Sequence, residues 1–186
     1  MSVSTILEWD ARLSEKMRVA EQPGALRAIA ILFAHSGDSW FWLLALIIGW
    51  FYSNADWKEW EVVEFVGISV LAALVLSIKF LVRRKRPEGE WGSIYRNTDP
   101  HSFPSGHAAR AFLIAMIASA LAPTWLGILL WVWAPLVALA RVAMGVHYVS
   151  DIVAGAIFGV VIAWIGLQIY EPILLWFSGL INIPLW

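Results

Sequence analysis

Three short clusters in this chain hold side chains that can do acid, base and nucleophilic chemistry. Lys79 and Arg86, followed by Pro87, close one oily segment, and Pro104-Ser105-Gly106-His107 opens another. Arg141, His147 and Asp151 straddle the junction of two more. His147 and Asp151 stand four positions apart, so on a helix they share a face. Asp151 can then accept the Nδ1 proton and leave Nε2 bare, as a nucleophile or as a base. Arg141 offers a planar fork for a phosphate or a carboxylate. In the second cluster, a helix opening at Gly106 presents free N–H groups and the positive end of its dipole, a natural anion site. Gly106 lets a ligand approach the backbone, Ser105 adds a hydroxyl donor, and His107 can protonate a leaving oxygen. Lys79 and Arg86 lie about two helical turns apart and share a face if the helix runs on to Arg86.

Taken together, the parts suit one reaction. Cations, a helix N-terminus and a hydroxyl can surround the equatorial oxygens of a phosphoryl group. One histidine attacks in line while the other protonates the departing oxygen. Phosphoryl transfer needs chiefly positioning and charge neutralisation, which Lys and Arg can supply in place of a metal. No spaced carboxylate cluster suggests Mg²⁺, so neither a metal nor another cofactor is expected. Arg83, Arg84 and Lys85 read instead as an interfacial, snorkelling group or a topology signal.

The elements that must position these groups are apolar helices. The 186 residues are 60% hydrophobic, with a mean hydropathy of +0.71. Several apolar runs approach the ~20 residues a helix needs to cross a bilayer. The expected class is an all-α, polytopic membrane protein forming one domain, 1–186. A net charge of −1 gives no basic field and argues against a nucleic-acid partner. The absence of Cys excludes disulfides, thiolate chemistry and Cys-ligated metals. Several of the thirteen Trp fall at the ends of apolar runs, where such rings favour the headgroup level.

Residues 1–22 predict an amphipathic helix on the membrane surface, with Val3, Ile6, Leu7, Leu13 and Met17 apolar among charges. Pro23-Gly24 breaks it. Ala25–Ala34 is a short first crossing, and Asp38 or Ser39 caps the next helix. Trp40–Tyr52 is the second span, Ser53–Glu61 a polar loop, Val62–Val82 the third span and 83–105 the main loop. Gly106–Leu121, Thr124–Ala143 (kinked at Pro135) and His147–Tyr170 complete six. Glu171-Pro172 ends the last of these, and 172–186 is expected along the interface. With alternating hairpins, all three clusters fall at one membrane face.

Lys79-x6-Arg86-Pro87, Pro104-Ser105-Gly106-His107 and Arg141-x5-His147-x3-Asp151 resemble, in order, the three-part signature of the type 2 phosphatidic acid phosphatase (PAP2) family of membrane lipid phosphatases. The resemblance implies a six-transmembrane-helix bundle and metal-independent hydrolysis of a phosphomonoester or diphosphate through a phosphohistidine. It implies His147 as nucleophile, Asp151 as its orienting partner and His107 as general acid. Lys79, Arg86, Ser105, Gly106 and Arg141 would bind phosphate. It further implies a multi-pass protein of the cytoplasmic membrane whose site faces outward, although the Lys/Arg count of the loops favours the reverse. In one departure, Ala140 stands where the family often has Ser, removing a hydroxyl donor. The expected partners are the bilayer and a lipid phosphate: undecaprenyl diphosphate, phosphatidylglycerol phosphate or phosphatidic acid. The oligomeric state is left open. The alternative is an anion transporter or channel using the same basic cluster, against which the charges gather at one face.

Overall fold

The computed structural model describes residues 2–89, 91 and 99–181. Seven helices are described: α1 Val3–Lys16, α2 Ala25–Ser36, α3 Ser39–Tyr52, α4 Ala55–Val82, α5 Gly106–Leu121, α6 Thr124–Ala143 and α7 Val149–Ile181. Among the described residues the β-structure is one isolated bridge, Lys85 to His101. Residues 90 and 92–98 of the predicted main loop and 182–186 of the predicted tail lie outside the described residues.

α5 is the central post, packed against α4, α6 and α7. Alanines make this possible: Ala108, Ala109, Ala111, Ala115 and Ala118 are all fully buried, so three neighbours can close on a narrow helix. Gly155 and Gly159, one turn apart on α7, bring that helix closer still. A Cβ at either would run into the carbonyl oxygen of Ser105 or of Ala109, the small-residue spacing that lets apolar helices touch backbones. The crossing sets Ser105, at the head of α5, beside the first turns of α7.

α4 (over Trp57–Val82), α6 and α7 (over Val149–Pro172) are long and apolar enough to cross a membrane. α2 and α3 qualify as a pair, bent by 54° at the break between them, and α5 is a shorter apolar helix. Large apolar side chains face outward on all sides, among them Leu32, Phe51, Leu81 and Ile128, a surface suited to hydrocarbon.

Three boundaries differ from expectation. Residues 55–61, expected within a polar loop, are the start of α4; Trp57, Lys58, Glu59, Trp60 and Glu61 include no helix breaker. α7 continues through Pro172 to Ile181 where an end was expected, since an apolar helix tolerates one proline when neighbouring groups re-satisfy the backbone. α4 stops at Val82, because Arg83 adopts a left-handed conformation (φ 52°) and closes the helix as its C-cap. The helix does not reach Arg86.

α1 presents its apolar residues outward, with Ile6, Leu7 and Trp9 exposed. Its polar pair Asp10 and Ser14 is buried against the start of α7, where Ser14 Oγ accepts Val149 N–H at 2.9 Å.

Candidate active site

Lys79 occupies the last turn of α4, and the chain then runs back through Arg84, Lys85 and Arg86. This segment is pinned to the approach to α5 by the Lys85–His101 bridge and by Ser102 N–H to the Arg84 carbonyl, 2.9 Å. Lys79 and Arg86 therefore do not share a helix face. They meet all the same, on Asp99: Arg86 places Nη2 2.7 Å from Oδ2 and donates Nε–H to the Asp99 carbonyl at 2.7 Å, and Lys79 Nζ contacts the same Oδ2. Both cations are buried.

The third cluster is shaped by the end of α6. Arg141 sits in its last turn and is 1% exposed. Gly145, at φ 67°, reverses the chain, and Val146 N–H returns to the Arg141 carbonyl at 3.1 Å. His147 thus precedes α7 instead of sharing a helix face with Asp151. Asp151 lies in the first turn of α7 and reaches back to Tyr148 N–H (2.9 Å), as the acid of a capping box does. Its Oδ2 lies 3.4 Å from His147 Nδ1, longer than a well-formed hydrogen bond.

Arg86 fixes the tautomer of His147. Its Nη1 donates to the Val146 carbonyl (2.8 Å) and lies 3.1 Å from His147 Nε2. A guanidinium only donates, so Nε2 offers its lone pair and Nδ1 carries the proton on the Asp151 side. Burial is the main reason the His147 pKa lies well below the ordinary histidine range. Arg86, Arg141 and Lys79 push it the same way, against the Ser102 carbonyl.

In the second cluster, Ser105 is the N-cap of α5: its Oγ accepts Ala108 N–H at 3.5 Å and its own N–H donates to the Asp151 carbonyl at 3.0 Å. That bond joins the second cluster to the third. At Gly106 an added Cβ would make only an ordinary contact, with Val75 Cγ1 at 3.5 Å. His107 Nε2 lies 2.8 Å from Asp38 Oδ1. Lys79, Asp99, Gly106, His107 and Arg110 line one cleft, which continues over Val75, Leu71 and Ile68 of α4.

All eight site residues predicted from the sequence thus gather at one end of the bundle. Four further charged residues join them. Arg84, expected at the interface, donates from Nη1 to Asp151 Oδ1 (2.7 Å) and Ser150 Oγ (2.6 Å) and from Nη2 to Asp10 Oδ2 (2.7 Å). Its guanidinium lies 4.0 Å from the centre of the Tyr148 ring. Asp10 also accepts Ser150 N–H at 3.0 Å. Asp38 and Asp99 complete the set. In the sequence, the polar pair Asp10 and Ser14 on one face of an amphipathic helix was a signal for a docked surface; nothing marked Arg84 off from Arg83 and Lys85.

An apolar helical bundle with buried cations and two histidines at one end is the architecture of a membrane phosphatase. The PAP2 superfamily profile matches residues 58–173, and the chain belongs to that family. It is 32% identical over 143 residues to a decaprenylphosphoryl-5-phosphoribose phosphatase of Mycobacterium tuberculosis, covering 76% of this chain and 78% of that protein. An undecaprenyl-diphosphatase of Sulfolobus acidocaldarius is 32% identical over 114 residues, 56% of this chain and 55% of that one. The fold resembles the transmembrane PAP2 type phosphatidylglycerolphosphate phosphatase of Bacillus subtilis, with a TM-score of 0.72 and 24% identity over 91% of this chain and 88% of that one. It also resembles Aquifex aeolicus LpxE, with a TM-score of 0.66 and 26% identity over 83% of this chain and 93% of that one.

Proposed function

We propose that this chain hydrolyses a lipid phosphomonoester or diphosphate through a phosphohistidine on His147, without a metal. One observation carries the reading: the bare Nε2 of a buried, neutral His147 is aimed at Arg86 within a group of three buried cations. A phosphoryl group displaces Asp99 from Lys79 and Arg86, while Arg141, Ser105 and the N–H groups at the head of α5 take its remaining oxygens. Gly106 suits that approach, as the protein packing there leaves room for a Cβ but a bound anion would not. Arg86 Nη1–H passes from Nε2 to a phosphoryl oxygen, Nε2 attacks phosphorus as the bond to the leaving oxygen breaks, and His107 protonates that oxygen. Asp151 stabilises the charge that develops on the His147 ring. Water then attacks phosphorus, His107 takes its proton, and the N–P bond breaks to release orthophosphate.

The apolar continuation of the cleft along α4 supports a substrate whose phosphoryl end enters first and whose chain stays among helices. The decaprenyl, undecaprenyl and phosphatidylglycerol compounds in the names of three of these relatives share long apolar chains and a phosphate. In this reading α1 lies at the interface, α2 and α3 form one bent crossing beside those of α4, α5, α6 and α7, one fewer than the six expected, and the site faces the outside of the cytoplasmic membrane. Initial rates on a polyprenyl diphosphate, phosphatidylglycerol phosphate, phosphatidic acid and a soluble phosphomonoester, with and without EDTA, test the substrate class. Acid-labile ³²P label on the wild type that persists in His147→Ala would refute the nucleophile.

A further inference from the structure

We infer that Asp38, at the break between α2 and α3, is a positioning residue for His107. It orients the proton-donating imidazole and supplies the anion that lets it carry a proton. The inference rests on the general-acid role proposed for His107 above.

Asp38 occupies the N-cap position of α3 (φ −69°, ψ 137°), where an aspartate ordinarily accepts an N–H of the first turn, yet its side chain makes no such bond. Both oxygens are engaged elsewhere. Oδ1 lies 2.8 Å from His107 Nε2, and Oδ2 lies 3.1 Å from Nδ1 of the half-exposed His35, which restrains the rotation of the carboxylate.

The break itself is built to hold this carboxylate. Arg110, three residues beyond His107 on α5, donates to the Gly37 carbonyl. Trp42 donates to the Ser36 carbonyl (2.9 Å) and Trp133 to Ser36 Oγ (2.8 Å). At Gly37 a Cβ would come within 2.8 Å of Val137 Cγ1, so α6 packs directly on the turn. Elements α3, α5 and α6 therefore fix Asp38 from three sides.

The charges around His107 explain why a carboxylate is needed there. Arg110 faces it from its own helix and Arg141 from α6, while Lys79 and Asp99 lie along the same cleft. Asp99 is engaged by Lys79 and Arg86. Among the described residues Asp38 is the carboxylate in contact with the ring, and it offsets these cations. With Nε2–H given to Asp38, the nitrogen left for the reaction is Nδ1. Its proton passes to the leaving oxygen as the P–O bond breaks, and the proton of the attacking water returns to it. The Nε2–H stays on Asp38 throughout. Asp38 and His107 thereby mirror Asp151 and His147.

The test uses full-length protein in detergent micelles, comparing wild type, Asp38→Asn and Asp38→Ser; Ser keeps a good N-cap without the charge. Histidine-selective ¹³C NMR resolves the four histidines, each assigned by single substitution. Removing the anion should lower the His107 pKa by about one unit or more and leave the His147 resonance in place. Rates are then compared on two long-chain phosphates, an alkyl ester and a nitrophenyl ester bearing the same chain. Loss of an oriented general acid should slow the alkyl ester about 10- to 100-fold. The nitrophenyl ester, whose leaving group needs no proton, should slow by less than about threefold. Equal losses on both esters, or an unmoved His107 titration, would overturn the inference and leave Asp38 a structural tie. A His107 titration that moves in the variants, with a wild type that releases phosphate from neither ester, would refute the proposed function while the pairing stands.

Discussion

Asp10 shows how a helix remote in sequence can act on the surroundings of His147. It is 5% exposed and accepts from Arg84 Nη2 (2.7 Å), Ser150 N–H (3.0 Å) and Ser150 Oγ (2.5 Å). Asp10→Ala removes the charge-assisted bond from Arg84 and leaves Ser150 N–H and Ser150 Oγ–H without their acceptor. Arg84 is not stranded, since it keeps Ser150 Oγ and Asp151 Oδ1, so the loss falls short of a fully broken buried pair. About 2–4 kcal/mol follows from the three lost interactions. At this chain length that lowers Tm by roughly 5–15 °C. Catalysis should suffer too. With Asp10 gone, Asp151 is the one carboxylate partner of Arg84 among the described residues, and Arg84 draws on the group that faces His147 Nδ1. A loss of about 1 kcal/mol in barrier height gives roughly a fivefold fall in kcat. Asp10→Asn, which keeps an acceptor for Ser150 N–H but not the charge, should fall between the two proteins. Thermal unfolding followed by Trp fluorescence, with kcat on a lipid phosphate, measures both effects. If Asp10→Ala unfolds within about 2 °C of wild type, the behaviour of an ordinary surface change, with kcat unaltered, then α1 merely lies alongside the site.

Gly106→Ala should fold with wild-type Tm, as its Cβ meets only Val75 at 3.5 Å, yet lose about 10-fold or more in kcat/KM if phosphate approaches that backbone; full activity would refute the approach. Asp99→Asn should lower KM by about 3- to 10-fold at constant kcat, because a partly exposed ion pair offers the incoming phosphate weak competition; a raised KM would assign Asp99 to substrate binding. Since the His147 pKa is held well below 6.5, the acid limb of kcat/KM due to its protonation should lie below pH 6.5. The unfolded chain takes up that proton near 6.5 and the folded chain does not, so stability should be full above pH 6.5 and decline as pH falls through it; pH-dependent unfolding checks the sign. In this Cys-free chain, Glu88→Cys should react with a membrane-impermeant maleimide in intact cells and Asn54→Cys should not; the reverse pattern would put the site in the cytoplasm.

That eight residues would gather at one end of the bundle was legible, because their types and spacing suit one chemistry even before their geometry is known. The helical class was equally plain, from apolar runs of bilayer length. What escaped depended on backbone turns and long-range docking. A left-handed Arg83 decides that Arg84 points to Asp151 while Arg86 points to His147, and four adjacent basic residues give no sign of it. Asp38 was read as a helix cap because it stands where caps stand; its carboxylate is turned away by His107, a partner 69 positions later. The pairing of Asp10 with Ser150 spans 140 positions. Gly155 and Gly159 carried a visible small-residue spacing on α7, but its partner face on α5 emerged only from the packing.

The site must assemble without its ligand, and the way it balances charge says which part can exchange. Three carboxylates from separate elements hold cations: Asp10 and Asp151 hold Arg84, while Asp99 holds Lys79 and Arg86. The Asp10 and Asp151 side chains are 6% and 0% exposed, against 38% for Asp99. Breaking a buried pair by removing one partner costs about 3–5 kcal/mol, whereas a partly exposed pair is worth nearer 0–1. In the proposed reaction an arriving phosphate would therefore exchange with Asp99 and leave the Arg84–Asp151 pair beside His147 intact. Exchange at Asp99 would thus bring a phosphoryl group to Lys79 and Arg86 without disturbing the carboxylate partners of Arg84 beside His147.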